Sequence, residues 1–189
     1  MNLKKKSILD AATSLFSKNG YHAVGVDSIV AKSNVAKMTF YKHYPSKEFL
    51  IESVLIQRDL DLRVSIQAAL EKRRTPKTKI KGIFEWYEDW FSTEEFHGCM
   101  FIKASEEFPE IGVKIREISQ THKQWLESLI ADLLKECEIK SHKDLSVHIL
   151  TVLDGLTVRS NLFKEGAEHH VRSAWRYVSH MIEAESLNH

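Results

Sequence analysis

Residues 26–44 read Val26-Asp27-Ser28-Ile29-Val30-Ala31-Lys32-Ser33-Asn34-Val35-Ala36-Lys37-Met38-Thr39-Phe40-Tyr41-Lys42-His43-Tyr44, followed by Pro45 and Ser46. Two short helices fit here, one over 26–33 with Ile29 and Val30 pointing inward, the other from about 36 to 43 with Phe40 pointing inward. Between them Ser33-Asn34-Val35 predicts a tight corner, because asparagine tolerates left-handed backbone better than any residue except glycine. Pro45 stops the second helix, since the residue before a proline is pushed out of helical geometry, and Ser46 is placed to cap the next one. A helix, a sharp corner and a second helix rich in Lys, Thr and Tyr make a helix-turn-helix, whose second helix enters the major groove of DNA. On helical periodicity Lys37, Thr39, Lys42 and His43 reach outward. Threonine offers a hydroxyl and a methyl to base edges, and the lysines reach phosphate or guanine. Met38 either touches a thymine methyl or packs under the helix, and the sequence leaves both open.

The charge distribution agrees. Residues 1–47 hold eight lysines (4, 5, 6, 18, 32, 37, 42 and 47) against Asp10 and Asp27, a net of +6. The remaining 19 basic and 24 acidic residues leave positions 48–189 at −5, although the whole chain is only +1. A basic N-terminal block suits phosphates, and an acidic remainder is repelled by them.

Outward from this stretch the pattern stays helical. Ile8, Ala12, Leu15 and Phe16 form an apolar stripe from Leu3 to Asn19, closed by Gly20. A long helix runs from Lys47 until Arg74-Thr75-Pro76. Further helices are predicted over about 77–92, 98–107, 110–137, 142–164 and 168–185. Nine helices and no sustained period-two alternation predict an all-α protein of 189 residues, and the scarcity of turn residues, 7 Gly and 3 Pro, favours long helices. No run of about 18 apolar residues occurs, and the lysine-rich start leads into an amphipathic segment rather than a signal-peptide core, so a cytoplasmic protein is expected.

The stretch Ile29-Val30-Ala31, then Val35-Ala36-Lys37-Met38-Thr39-Phe40-Tyr41-Lys42-His43-Tyr44-Pro45-Ser46-Lys47-Glu48-Phe49-Leu50 resembles the N-terminal signature of TetR-family regulators. The resemblance covers about the first 55 residues. It implies a DNA-binding domain over 1–50 and a helical effector-binding and dimerisation domain over 51–189. It also implies that Tyr41 and His43 approach the phosphate backbone, that Lys47 meets phosphate from the start of the fourth helix, and that Lys37, Met38 and Thr39 face the groove with Val26 at the start of the second helix. The family often has Thr where the second helix starts, Gly at the corner and a small residue at position 38. Here those are Gly25-Val26, Asn34 and Met38. Gly can still cap a helix and Asn can still turn the corner.

The helix over 142–164 is apolar on more than one face and needs two burial partners. Together with Val171, Trp175, Val178 and Ile182 of the last helix it can bury one face in its own subunit and another on a twofold mate. The family resemblance implies that these two helices form a four-helix homodimer interface, for which Leu145, Ile149, Val152, Leu156, Trp175, Val178 and Ile182 are the candidates. Between this region and the N-terminal helices the chain is dense in large side chains. Trp86, Trp90, Met100, Phe101, Ser105 and Trp125 are candidates to line a pocket for a small apolar or aromatic effector, or they fill the core. The expected function is a repressor that holds a palindromic double-stranded DNA operator until the effector releases it.

Other classes have less support. No GxGxxG, Walker loop or HExxH occurs, and Cys99 beside His97 lacks a third orienting group, so neither catalysis nor a cofactor is expected. The ten histidines lack the i, i+4 pairing of a helix-borne zinc centre, so no metal is expected either. A helical adaptor that binds proteins through its apolar C-terminal helices remains the rival from another class.

Overall fold

The structure, a computed structural model, describes residues 2–110 and 113–187. Among these residues there are nine helices and no strand: α1 Leu3–Asn19, α2 Val26–Ser33, α3 Lys37–His43, α4 Lys47–Glu71, α5 Pro76–Phe91, α6 Met100–Glu107, α7 Lys114–Glu136, α8 His142–Phe163 and α9 Ala167–Leu187. The boundaries follow local chemistry. The Asn2 side chain accepts from the Lys4 N–H to start α1, and Thr75 and Thr78 cap each other's backbone with Pro76 in the first turn of α5. Helix α6 starts at Met100 rather than 98, because Gly98 has a φ of 87° and Cys99 is extended. Helix α7 was expected from 110. Residues 111 and 112 lie outside the described residues, and the helix runs from Lys114. No described helix is long and apolar enough to cross a membrane.

By packing, the chain divides into two units, one holding the residues up to Asp61 and Cys99–His122, the other Leu62–Gly98 and Lys123–His189. Helices α4 and α7 each contribute one end to either unit. The expected boundary at residue 50 thus falls inside the first unit, which takes in α6 as well.

In the first unit α1 packs on α2 and α3, and α2 on α3, around buried Ile8, Phe16, Tyr21, Ile29, Phe40, Tyr44 and Leu50. Helix α6 is fastened to the end of α1. The Glu107 carboxylate accepts the backbone N–H of Tyr21 at 2.9 Å and of His22 at 2.6 Å, and lies 2.9 Å from His22 Nδ1, which must donate because the carboxylate cannot. Lys103 donates to the Ser17 carbonyl at 2.7 Å, and the Tyr21 hydroxyl to the Met100 carbonyl at 2.9 Å. Gly20 is needed here twice. Its φ is +81°, and a Cβ would come within 2.7 Å of the Glu107 carboxylate. A second polar anchor joins α4 to α7: Asp59 accepts from His122 Nδ1 at 2.8 Å, and the buried His122 ring stacks on Phe101 of α6 with centroids 3.8 Å apart.

In the second unit α5 packs on α8 and α9, and α8 on α9. Their apolar faces and the second half of α7 form one core that includes Ile80, Ile83, Phe84, Ile130, Leu133, Ile149, Leu153 and Val178.

Burial pushes the Glu107 carboxyl up, but the hydrogen bonds from the His22 and Tyr21 backbone and the His22 ring outweigh it and hold it below its ordinary value. A depressed carboxyl stabilises the fold above its unfolded pKa of about 4.3 and loses that contribution as pH falls through the lower folded value. Glu107→Gln is expected to cost about 1–2 kcal/mol near neutral pH, and the gap between its melting curve and that of the native chain should close as the pH is taken below about 4. A gap that stays constant into acid would show that the charge of Glu107 is not what holds α6.

Candidate DNA interface

The corner between α2 and α3 is built as the sequence suggests. Asn34 adopts φ 53° and ψ 43°, and its N–H closes the end of α2 on the Ala31 carbonyl at 3.3 Å. Ser7 of α1 donates to the Ser33 carbonyl at 2.9 Å, tying the corner to the first helix. Helix α3 has no side-chain cap at its start. It is held instead by Phe40, fully buried, and by Tyr44 just past its end, also fully buried, whose hydroxyl donates to the Lys5 carbonyl at 3.2 Å. Ser46 accepts the Phe49 N–H at 3.1 Å and so starts α4.

With Phe40 inward, the rest of α3 is displayed. Met38 is 85% exposed, which removes the alternative that it packs under the helix. Tyr41 is 45% exposed with its ring edge-on to Phe40. Lys37 and Lys42 are exposed, and Val26, Thr39, His43 and Lys47 are half-buried. All eight candidates therefore lie on α2, α3 or the first turn of α4, within one unit. Two of the lysines have intramolecular partners. Lys37 Nζ sits 2.7 Å from an Asp27 carboxylate oxygen, whose hydrogen bond and charge raise the lysine above its ordinary range, and Lys47 Nζ lies 3.4 Å from the His22 carbonyl. The sequence reading passed over Asp27. Its one signal was that, after Asp10, no other acid occurs in the basic block.

The other candidates are distributed differently. Met100 and Phe101 are buried in the first unit, where the Ser105 hydroxyl turns back to the Ile102 carbonyl. Trp86, Trp90 and Trp125 belong to the second unit. Trp86 donates to Ser65 at 2.9 Å and neighbours Trp90, while Arg63 lies over the Trp125 ring at 4.8 Å. A cavity of about 520 Å³ in the second unit is lined by Phe84, Val171 and Trp175 with Arg73, Glu85 and Arg172 among its charged walls. None of the six effector candidates lines it.

Most of the interface candidates on α8 and α9 are packed within the chain itself. Leu145, Ile149, Leu156, Val178 and Ile182 are buried in the chain's own core, and Val152 and Trp175 are packed against it. Among the described residues, the large apolar side chains that α8 and α9 leave exposed are Val147, Val158, Leu162, Phe163, Tyr177 and Met181. Among the described residues, no group of three or more His, Cys, Asp or Glu side chains is placed to hold a metal ion.

A left-handed corner, a short anchored helix and a displayed polar surface on a lysine-rich block define a helix-turn-helix DNA-binding regulator. Residues 8–54, which cover α1 to the first part of α4, match the family model for bacterial regulatory proteins of the tetR family. The chain is 25% identical over 148 residues to the HTH-type transcriptional repressor DhaR of Mycobacterium sp. (strain GP1), covering 77% of this chain and 74% of that protein. It is 30% identical over 90 residues to the HTH-type transcriptional activator FasR of Mycolicibacterium smegmatis, covering 45% and 41%. In fold it is similar to SCO4454, a TetR-family transcriptional regulator from Streptomyces coelicolor, with a TM-score of 0.91, 24% identity and 97% and 96% of the two chains covered. Residues 8–54 thus carry the DNA-binding domain of the tetR family, and the fold is that of TetR-family transcriptional regulators.

The corner is open to a direct test. Asn34→Ala places a Cβ-bearing residue without a local hydrogen-bonding side chain in left-handed backbone, and should lower unfolding free energy by about 1 kcal/mol, whereas Asn34→Gly should leave it unchanged or raise it. Equal denaturation midpoints for the alanine variant and the native chain would remove the conformational role given to Asn34.

Proposed function

We propose that the protein is a homodimeric repressor that binds a near-palindromic operator and leaves it when a small apolar or aromatic effector binds. The observation that carries the DNA half is the displayed end of α3. Met38, Tyr41 and Lys42 project from a helix fixed by Phe40 and Tyr44 in a block of net charge +6. Lys37, Met38 and Thr39 face the groove, the methionine suiting a thymine methyl and the lysine reaching phosphate or guanine, while Tyr41, Lys42, His43 and Lys47 meet the phosphate backbone and Val26 stands at the start of α2. Repression is favoured over activation because the relative named a repressor is matched over 74% of its length, against 41% for the one named an activator.

Dimerisation is supported by the outer faces of α8 and α9. Val147, Thr151, Gly155, Val158 and Leu162 are exposed at helical spacing on α8, and the Cβ position of Gly155 has nothing within 4 Å, which leaves room for another helix to approach. Tyr177 and Met181 extend the apolar area on α9. A twofold dimer reads a near-palindrome with two α3 helices about one DNA turn apart. The DNA-binding part spans 1–50, and 51–189 takes the effector and the second copy. Helix α4 carries the signal, as it belongs to both. Such a protein works in the cytoplasm, where the chromosome is.

Two experiments test this. Selection by the purified protein from a randomised duplex pool should enrich a near-palindrome, and Tyr41→Ala with Lys47→Ala should weaken its binding more than tenfold and flatten the salt dependence by about 0.9 in log–log slope for the lost lysine. Recovery of no symmetric sequence would count against the reading. Val158→Glu with Leu162→Glu should shift the protein from dimer to monomer in sedimentation while leaving the helical content unchanged, because both positions are exposed in the single chain.

A further inference from the structure

Asp10 and Asp27 are the two carboxylates of residues 1–47, and each is taken by a lysine. Lys6 Nζ lies 2.5 Å from Asp10 one turn along α1, and Lys37 Nζ lies 2.7 Å from Asp27. The second pair has a different setting. Asp27 stands in the first turn of α2 and Lys37 in the first turn of α3, and both side chains are open to solvent. A carboxylate is favoured in the first turn of a helix and a lysine is disfavoured there, so Asp27 offsets the poor position of Lys37. An ion pair this exposed is weak enough to open when an anion is fixed beside it. The anion that α3 meets in the DNA-binding reading is phosphate.

We propose that Asp27 acts as an internal substitute for phosphate, a brake that withholds Lys37 from loosely held, sequence-independent DNA. The proposal rests on the DNA-binding reading above. Sequence-independent affinity comes from lysines that neutralise phosphates and release condensed counterions. A lysine already neutralised by a carboxylate contributes little to that release, so Lys37 adds almost nothing while Asp27 holds it. When α3 is seated in the groove of its operator a phosphate is fixed close to Lys37 and displaces Asp27. On random DNA the phosphates stay hydrated and screened, and Asp27 keeps the lysine. Weak sequence-independent binding leaves more protein free to reach the operator among a large excess of competing sites.

The test is a double-mutant cycle on the full chain, reading the affinity for a labelled duplex of random sequence from about 50 to 200 mM salt. Asp27→Asn is expected to tighten binding about three- to fivefold at the low end and to steepen the log–log salt slope by about 0.9. The same substitution made on Lys37→Ala should leave the slope unchanged and the affinity within about 1.5-fold, because the brake has nothing left to hold. Equal tightening in both backgrounds would make Asp27 a plain repulsive charge and overturn the proposal. So would a lowered melting temperature with unchanged affinity, which would assign the pair to the fold alone. If the native chain shows no salt-dependent binding to any duplex, the DNA-binding reading itself fails, a result distinct from native binding that Asp27→Asn leaves untouched.

Discussion

Burial of Phe40 is the interaction on which the DNA-facing surface depends. Helix α3 has seven residues, far fewer than a helix needs to hold its form alone in water, and it has no side-chain cap. Full burial of one phenylalanine is worth about 1.5–3 kcal/mol, and it also fixes rotation: with Phe40 inward, Met38, Tyr41 and Lys42 must face out. Tyr44, buried one turn on and bonded to the Lys5 carbonyl, stops the helix from turning about that anchor.

The first unit extends this constraint beyond the helix-turn-helix. Glu107 uses both carboxylate oxygens on two consecutive backbone N–H groups past the end of α1, where no helical partner exists for them. Tyr21, whose hydroxyl is pushed up by burial and so stays a donor, reaches the Met100 carbonyl in return. Helix α6 therefore belongs with the DNA-binding helices in packing, although Tyr21 and Glu107 stand 86 residues apart in sequence. The His122–Asp59 pair stacked on Phe101 adds the start of α7 and the first part of α4 to the same unit.

Much of the local architecture was legible because the signals are local. The Asn34 corner, the inward Phe40, the Ser46 cap and the Gly20 stop each depend on a few neighbouring residues, and each stands where periodicity and backbone preference place it. The side-chain directions on α8 are not local in this way. A helix such as α8, apolar on two faces, announces that it has two partners but not which face meets which. The packing of α5 and α9 decided that Leu145, Ile149 and Leu156 go inward and that Val158 and Leu162 stay out. Asp27 was missed because an acid ten positions before a lysine has no helical or strand relation to it, and only the fold of the corner brings them together.

By itself the sequence determined the nine helices, the position of the helix-turn-helix and the charge that suits it to DNA, since helix periodicity, capping and net charge are properties of the chain read in order. Tertiary structure alone decided that Met38 is displayed, that Lys37 is held by Asp27, that α6 packs with the reading head and which apolar stripe remains uncovered. Those outcomes depend on which surfaces distant segments remove from water, and burial is a property of the packed chain rather than of any stretch of it.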